Sequence, residues 1–442
     1  MSVLASTPVF SETAAAEFAA EFFGISGSVT PLPGERDQNF LVTATSGKAY
    51  VLKIANAAED RSILDAQHQA MDFLGQHVSF CPKTMPAQNG ACLVQVRSEK
   101  TGTHLVRLVS YIQGTPMALV KRRSSGLFMD LGRCLARMDR ALAGFSHPAV
   151  HRDFHWDLAN AEGVVNQYIS HVTDTDLRAL IQQCTREFES TTLPMLQNLR
   201  KSVIHNDAND YNVLAGGGTD LYAKNQSVTG IIDFGDMVYS HTVCDPAIAA
   251  AYAVLDVSDP LQTAARVIKG YHQVYPLEET EICVLFSLIC MRLCVSACLA
   301  AFQQKQRPDD PYLLISQAPI KKTLPILASV DQGFATGVFR SACGLEPFPK
   351  SRQVQAWLAK NRHLGFPVMG EPLTQKNCTV LDLGVDSPFV SGDPTAPAPD
   401  AFAMHLSARL KQTGAGYGIG RYREARLRQS SFSKADPVPE KG

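Results

Sequence analysis

The stretch Val203–Leu214, which reads VIHNDANDYNVL, constrains the fold of this chain more than any other. It places one histidine, two aspartates and three asparagines between aliphatic residues that are typical of buried strands. The aliphatic flanks predict a polar loop held in a fixed position. Asp207 and Asn212 are five residues apart, which is the spacing that phosphoryl transfer requires between a proton-accepting aspartate and a metal-binding asparagine.

A second stretch, HRDFHWDLAN, has a similar His-x-Asp pattern. Five residues after its Asp153 comes Leu158, whose side chain cannot bind a metal ion. The first loop is instead followed by VTGIIDFGD, in which Asp233 ends an apolar strand. The sequence therefore predicts Asp207 as the catalytic base, with Asn212 and Asp233 as ligands of one Mg²⁺ ion.

The N-terminal part of the chain predicts a small antiparallel sheet with two helices. Ser11 is a suitable N-cap and Gly24 a suitable stop for an amphipathic helix. Alternating apolar and polar residues then indicate strands, and one further segment has the periodicity of a helix. The strands are predicted at 28–32, 39–45, 49–55, 92–97 and 104–110, and the helix at 61–75.

Lys53 is the predicted phosphate-binding lysine on the third strand. Val51 shares its face of the strand, so Val51 is expected to lie against the nucleotide base. The turn over 34–39, with Arg36, is predicted to cover the phosphates, although it contains a single glycine.

Two further residues complete the predicted nucleotide site. Asp65 is the predicted helix acid that pairs with Lys53, and Asp72, Gln67 and Gln69 are the alternatives. Ser110 belongs to a segment that is expected to offer backbone groups to the base edge.

From about residue 126 the chain is predicted to be mainly helical. The apolar run over 282–302 has Arg292 at its middle, which favours a buried helix over a membrane span. Pro319 and Pro325 are expected to break a last helical stretch near 315–335. Four helices are predicted, at 127–143, 175–187, 246–255 and 281–303. The predicted domains are a nucleotide-binding N-lobe (1–112), a helical C-lobe with the catalytic loop (113–343) and a linker or partly ordered tail rich in proline and glycine (344–442).

Composition favours an ordinary globular protein of the cytoplasm. A net charge of −1 gives no electrostatic reason to expect a nucleic acid partner, and no membrane partner is expected. Eleven cysteines without secretory spacing predict free thiols in a reducing compartment. Cys290, Cys294 and Cys298 share one helix face and are predicted to pack as small apolar residues.

The segments 205–212 and 231–236, together with Lys53, resemble the aminoglycoside phosphotransferase and choline kinase family of the protein-kinase-like fold. The run IIDFGDMVYSHTVCDPAIAAAYAVL is particularly similar to that family. Among the named enzymes of the family, the chain most resembles the hydroxylysine kinases. The resemblance covers about residues 15–340. Asn206 stands where much of the family has glycine, a departure that is tolerable if its backbone is not at positive φ.

The resemblance implies a two-lobed α+β fold, with a small antiparallel-sheet N-lobe, a mainly helical C-lobe and a Pro/Gly-rich C-terminal extension. It also implies ATP or GTP as the phosphate donor, Mg²⁺ as the cofactor and a small molecule as the substrate. The segment GYGIGRYREARLRQSSF is similar to a junction in bacterial multidomain proteins, where a kinase-like module precedes a peptidase-like domain and a class III aminotransferase. That similarity implies a downstream domain or a partner enzyme.

Acidic and aromatic residues near the predicted site favour a small amine-bearing alcohol, such as hydroxylysine, as the acceptor. Helix capping and loop ordering are equally open roles for the acids. A nucleotide-binding pseudokinase, or a regulatory module of a larger enzyme, is the alternative function. A protein kinase is disfavoured because no Ala-Pro-Glu segment follows Asp233. The predicted substrate residues are Asp236, Asp245 and Asp157, with His155 and Trp156 beside the last.

Overall fold

The computed structural model describes residues 7–34, 36–218, 224–306 and 317–347, and the backbone of two short strands between 367 and 372. The helices are α1 (Glu12–Phe23), α2 (Arg61–Leu74), α3 (Ser125–Leu142), α4 (Ala161–Tyr168), α5 (Thr175–Glu187), α6 (Leu193–Leu196), α7 (Cys244–Ala253), α8 (Pro260–Val274), α9 (Glu279–Gln306), α10 (Gln317–Ala328) and α11 (Gln332–Ala342). The strands are β1 (Gly27–Leu32), β2 (Gln38–Ala44), β3 (Ala49–Ile54), β4 (Thr84–Met85), β5 (Val94–Ser98), β6 (Gly102–Ser110), β7 (Thr115–Pro116), β8 (Lys201–Ile204), β9 (Val213–Gly216), β10 (Ser227–Ile231), β11 (Val238–His241), β12 (Pro367–Val368) and β13 (Glu371–Pro372).

The chain divides into two compact units that do not follow the sequence in single blocks. Unit 1 comprises residues 1–161, 198–253 and 270–276. Unit 2 comprises residues 162–197, 254–269 and 277–442. The domain boundaries predicted from the sequence, after residues 112 and 343, stay a prediction.

Unit 1 begins with a six-stranded antiparallel sheet. Its order is β1-β2-β3-β6-β4, and β5 pairs with β6. Leu52 and Ile54 are fully buried on the face that α1 covers, in one apolar cluster with Phe23 and Phe40. The intervening side chains, including Lys53, therefore lie on the other face. The five strands and two helices predicted for this region are confirmed to within two residues at their ends.

Two short antiparallel ladders carry the polar segments of unit 1. β8 pairs with β11, and β9 pairs with β10. The loop 205–212 therefore lies between β8 and β9, and the segment 232–237 lies between β10 and β11. Because each segment is bounded by paired strands at both ends, its side chains project from backbone that is fixed on both sides.

A close approach of two helices supports these ladders. α3 packs against β8, β10 and α7. At Gly270, near the end of α8, an added Cβ would lie 2.0 Å from the carbonyl oxygen of Met129 in α3. Only glycine allows the two helices to approach this closely.

Up to residue 347, the described residues of unit 2 form helices that are organised around α9, which packs against α5, α10 and α11. α9 is long and apolar enough to cross a membrane, but 94% of its most apolar window is buried in the protein. Arg292 is buried with the rest of the helix. These observations agree with the predicted core helix. Cys290, Cys294 and Cys298 are buried as predicted. Burial raises the pKa of the Cys290 and Cys298 thiols, and a hydrogen bond with Cys184, followed by burial, raises the pKa of the Cys294 thiol.

The expectation that Pro319 and Pro325 break the last helical stretch is wrong, because both lie inside α10. Pro319 occupies the first turn, where the missing N–H has no carbonyl partner to lose. Pro325 lies on the exposed face, so water can solvate the carbonyl it leaves free, while buried Leu324 and Leu327 hold the turn. The chain breaks instead before Asp331, which caps α11. Apart from residues 344–347 and the backbone of β12 and β13, the predicted tail lies outside the described residues.

The substitution Gly270→Ala tests the close approach of α8 to α3. We expect it to lower the free energy of unfolding by about 1–3 kcal/mol, because the new methyl group forces backbone to move. Gly163→Ala in α4 is the matched control, since nothing lies within 4 Å of its Cβ; it should stabilise by about 0.5–1 kcal/mol. Urea unfolding of both variants checks this, and equal stability of the two would contradict the assigned contact.

Candidate active site

A buried carboxylate, that of Asp245 in the first turn of α7, fixes the start of the loop 205–212. It accepts hydrogen bonds from the backbone N–H groups of His205 (2.8 Å) and Asn206 (2.6 Å), one on each oxygen. The condition set for Asn206 from the sequence, a backbone that is not at positive φ, is not met, because its φ is 64°. Asparagine nevertheless tolerates this left-handed conformation better than most residues that have a side chain.

Asp207 is oriented by the amides that follow it in the loop. Its Oδ2 accepts hydrogen bonds from the Nδ2 atoms of Asn209 (3.0 Å) and Asn212 (2.8 Å). Nδ2 of Asn212 also donates to the carbonyl oxygen of Asp207 at 3.0 Å. The predicted catalytic base and the predicted metal ligand are therefore in direct contact, and the amide oxygen of Asn212 faces away from Asp207.

His205 joins the loop to the segment that carries Asp233. Its Nδ1 accepts from the backbone N–H of Asp207 (3.2 Å), and its Nε2 lies 3.1 Å from the carbonyl oxygen of Ile232. These partners assign the proton to Nε2 and make the ring neutral. Burial lowers the pKa of His205, which agrees with a neutral ring. A backbone bond from Ile232 N–H to the carbonyl oxygen of Asn212 (2.9 Å) adds a second link.

Asp233 stands at the end of β10 with φ at 65° and meets the predicted lysine. Its Oδ1 accepts hydrogen bonds from Lys53 Nζ and from the backbone N–H of Gly235, both at 3.2 Å. Lys53 is the main cause that holds the pKa of Asp233 well below its usual value, and Arg107 and Arg36 act in the same direction. Asp233 is therefore ionised, and 44% of its side chain is exposed and open to a ligand.

The oxygens of Asp233 and Asn212 suit a hard divalent cation. In the described part of the chain, Oδ2 of Asp233 and Oδ1 of Asn212 form no hydrogen bond, so two oxygen ligands remain open. No group of three His, Cys, Asp or Glu residues in the described ranges could hold a metal alone. Magnesium commonly takes one or two protein oxygens and completes its shell with phosphate and water.

Arg36 and Asp236 connect the predicted phosphate turn with the segment after Asp233. Nη2 of Arg36 lies 2.5 Å from Oδ1 of Asp236. The backbone carbonyl of Asp236 also accepts from Nδ2 of Asn206 at 3.2 Å. Arg36 is therefore placed beside the candidate site, but a carboxylate of the protein already holds its guanidinium.

Asp65 is not placed beside Lys53, which corrects the predicted pairing. It lies on the exposed face of α2 and pairs with Arg61, one turn earlier, at 3.9 Å. The buried face of α2 presents Gln67, whose Oε1 accepts from Arg107 at 2.6 Å. Arg107 is the direct partner of Lys53 across β3 and β6. A neutral amide and an arginine thus join helix to sheet where a lysine–acid pair was expected.

All three predicted substrate carboxylates are buried, and the hydrogen bonds of two of them, Asp245 and Asp157, correct their assignment. Both oxygens of Asp245 are occupied by backbone N–H groups, as described above. Asp157 accepts hydrogen bonds from the Ser240 hydroxyl (2.6 Å) and from the Ala159 N–H (3.0 Å). Burial raises the pKa of Asp157. Capping and loop ordering, the other roles considered from the sequence, describe both residues. Asp236 remains beside the candidate site.

The two remaining predicted nucleotide residues lie on the sheet. Val51 is half-buried on the same face of β3 as Lys53 and is paired with Val109. The Ser110 hydroxyl accepts from the backbone N–H of Lys83 (2.9 Å), so its side chain ties β6 to the segment before β4. Their contacts with a nucleotide stay predictions.

Arg152 is a positioning residue that sequence reasoning missed. It belongs to the second His-x-Asp stretch and donates from Nη2 to the carbonyl oxygens of Gly235 (2.9 Å) and Met237 (3.0 Å). Its guanidinium also lies over the Phe154 ring and within 4.0 Å of Glu59. The stretch set aside as non-catalytic therefore braces the segment that carries Asp233. The arginine itself was the only feature of the sequence that could have indicated this positioning role.

Comparison with known proteins gives a family and several relatives. The model of the phosphotransferase enzyme family matches residues 28–279. Hydroxylysine kinase of Mus musculus is 30% identical over 329 residues, which cover 70% of this chain and 87% of that protein. Hydroxylysine kinase of Danio rerio is also 30% identical over 329 residues, which cover 72% and 91%.

Two solved structures share the fold. An amicoumacin kinase in complex with AMP-PNP and Ca²⁺ matches with a TM-score of 0.54 and 17% identity, over 72% of this chain and 93% of that chain. A microcompartment-associated aminopropanol kinase matches with a TM-score of 0.54 and 17% identity, over 76% and 99%. These similarities, with the antiparallel sheet and the helices described above, confirm the predicted protein-kinase-like α+β fold.

Proposed function

The chain belongs to the phosphotransferase enzyme family, and we propose that it transfers the γ-phosphate of ATP or GTP, with Mg²⁺, to a hydroxyl group of a small amine-bearing metabolite. It is a small-molecule kinase whose acceptor is an alcohol, and a nucleotide is its phosphate donor. The alternative of a pseudokinase or regulatory module has no observation in its favour. The link to a downstream domain or partner enzyme stays a prediction.

A single observation carries the assignment of residues. Asp207, Asn212, Asp233 and Lys53 belong to one connected set of contacts, although they come from three separate parts of the sequence. The set of contacts begins with the hydrogen bond between Asn212 and Asp207 (2.8 Å). It ends with the hydrogen bond between Lys53 and Asp233 (3.2 Å). A proton acceptor, two oxygen ligands and a cation for phosphate in one place are what phosphoryl transfer needs from a protein.

Each residue has a separate role in the proposal. Asp207 accepts the proton of the acceptor hydroxyl, and its neighbouring amides keep the carboxylate in position for that step. Asn212 Oδ1 and the Asp233 carboxylate hold Mg²⁺, which neutralises charge on the phosphate oxygens when it is bound. Lys53 contacts the nucleotide phosphates, and Asp233 keeps it oriented before the nucleotide arrives.

The amine-bearing acceptor is supported by the relatives. The similar proteins include kinases named for hydroxylysine and for aminopropanol, and both names describe amino alcohols. Asp236 adds a carboxylate three residues after Asp233, but Arg36 already pairs with it, so the preference for an amine rests on the names of the relatives.

The reducing cytoplasm is the compartment that we propose for this activity. The ten cysteines that the structure describes are all free thiols, and seven of them are buried. Free thiols in this number are typical of proteins in a reducing environment.

Phosphate transfer to hydroxylysine tests the function directly. We expect Mg²⁺-dependent phosphorylation of 5-hydroxylysine or 1-amino-2-propanol with ATP or GTP, followed by mass spectrometry of the product. Lysine is the matched control, because it has the same amines without the hydroxyl. Nucleotide binding without phosphorylation of any amino alcohol would favour the regulatory alternative.

Asp207→Ala tests the proton acceptor. Turnover should fall by about 10²–10⁴-fold while nucleotide affinity stays nearly unchanged, because a general base acts mainly in the transition state. Asp153→Ala is the matched control from the other His-x-Asp stretch, since that exposed carboxylate contacts Asn160 and lies outside the proposed machinery. Wild-type rates in Asp207→Ala would reject the assigned base.

Asp233→Ala tests the metal ligand. We expect Mg²⁺-dependent nucleotide binding to be lost, because the one carboxylate of the proposed metal site is removed and Lys53 loses its partner. Calorimetric titration of the nucleotide with and without Mg²⁺ measures this, and Asp207→Ala serves as the variant that still binds. Unchanged Mg²⁺ dependence in Asp233→Ala would move the metal site elsewhere.

A further inference from the structure

Three fully buried polar side chains lie behind the catalytic loop, on three different helices. Asp245 belongs to α7, Asp139 to α3 and Tyr271 to α8, and each has a relative exposure of 0%. The Tyr271 hydroxyl donates to Oδ2 of Asp139 at 2.7 Å. The carboxyl group of Asp139 is in turn in hydrogen-bonding contact with that of Asp245. Two carboxyl groups therefore meet in the interior of unit 1.

The available donors do not match two ionised carboxylates. Asp245 accepts two backbone N–H groups, and Asp139 accepts one hydroxyl on Oδ2. Oδ1 of Asp139 is buried and receives no hydrogen bond from an N–H or O–H group in the described part of the chain. No ion pair to either carboxyl group occurs among the described residues. Two adjacent negative charges without a cation are strongly unfavourable in a protein interior, so the pair must carry one proton.

The hydrogen bonds decide which residue carries that proton. Both oxygens of Asp245 already accept a backbone N–H group. Asp139 has a single neutral donor and an oxygen without any, so protonation supplies the missing hydrogen bond. Burial, and then the neighbouring Asp245, raise the pKa of Asp139 well above its usual value. The other charged group near Asp139 is Arg200, whose guanidinium lies over the Tyr275 ring and donates to the carbonyl oxygen of Pro276. His205, on the far side of Asp245, is neutral.

We propose that Asp139 is a protonated positioning residue, which donates a hydrogen bond from Oδ1 to Asp245 and thereby holds the loop that carries Asp207. Tyr271 orients Asp139, Asp139 orients Asp245, and Asp245 binds the N–H groups of His205 and Asn206. Asn206 needs this support because its left-handed backbone would otherwise relax. The inference rests on the proposed function for its effect on catalysis, but the protonation state of Asp139 does not depend on it.

The variants Asp139→Asn and Asp139→Leu distinguish a hydrogen-bonding role of Asp139 from a role in which its side chain only fills space. The amide of Asn keeps a donor toward Asp245 and an acceptor for Tyr271, so its turnover should stay within about threefold of the wild type. Leu removes both, and turnover should fall by about 10- to 100-fold, as expected for loss of one hydrogen bond to a charged group. Nucleotide affinity should not change in either folded variant. Equal loss of turnover in both variants would overturn the proposal.

Infrared spectroscopy gives a readout that needs no turnover and no substrate. The difference spectrum of wild type minus Asp139→Asn at neutral pH should contain the carbonyl band of one protonated carboxylic acid. Its absence would overturn the proposal even if Asp139→Leu fails to fold. If the wild type phosphorylates no alcohol, the proposed function fails, and the infrared band still decides where the proton lies.

Discussion

The hydrogen bonds from His205 and Asn206 to Asp245 place a loop that has no regular secondary structure of its own. A loop of this kind leaves backbone N–H groups unpaired, and a buried unpaired N–H costs about 1–3 kcal/mol. Asp245 satisfies two of them with one carboxyl group. It also holds the residue at φ 64°, Asn206, which directly precedes Asp207. The backbone that leads into Asp207 is therefore held by a side chain thirty-eight residues later in the sequence.

The charges of the site form a compensated set before any ligand arrives. Lys53 meets Asp233, and Arg36 meets Asp236. Arg107 lies directly across the strands from Lys53, and two like charges at such a position repel each other. Gln67 cannot neutralise Arg107, but it fixes the guanidinium through a hydrogen bond at 2.6 Å. Because α2 is joined to the sheet through Gln67 and Arg107, Lys53 is left to pair with the predicted metal ligand. In this site, therefore, the partner of Lys53 is Asp233 and not an acidic residue of α2.

Sequence spacing predicted the parts of the site that depend on local order along the chain. The five-residue interval from Asp207 to Asn212, and the apolar strand before Asp233, need only a loop and a ladder to bring their groups together. Residues whose role depends on side-chain direction could not be predicted in this way. Asp65 and Gln67 are two positions apart on α2, yet one faces water and the other the sheet. Asp157 and Asp245 look like surface acids in the sequence, and only the packing around them shows that they are buried.

The two His-x-Asp stretches have complementary roles. In the first, His205 is buried and neutral, and its ring accepts from Asp207 N–H while it contacts the carbonyl oxygen of Ile232. In the second, Arg152 binds the carbonyl oxygens of Gly235 and Met237. The backbone around Asp233 is therefore held from both sides, by an imidazole before it and a guanidinium after it. Asp233 needs such support because it adopts a left-handed conformation that is uncommon for residues with a side chain. The conformation of Asp233 follows from hydrogen bonds to neighbouring residues. These hydrogen bonds leave Oδ2 of Asp233 open for the proposed metal ion.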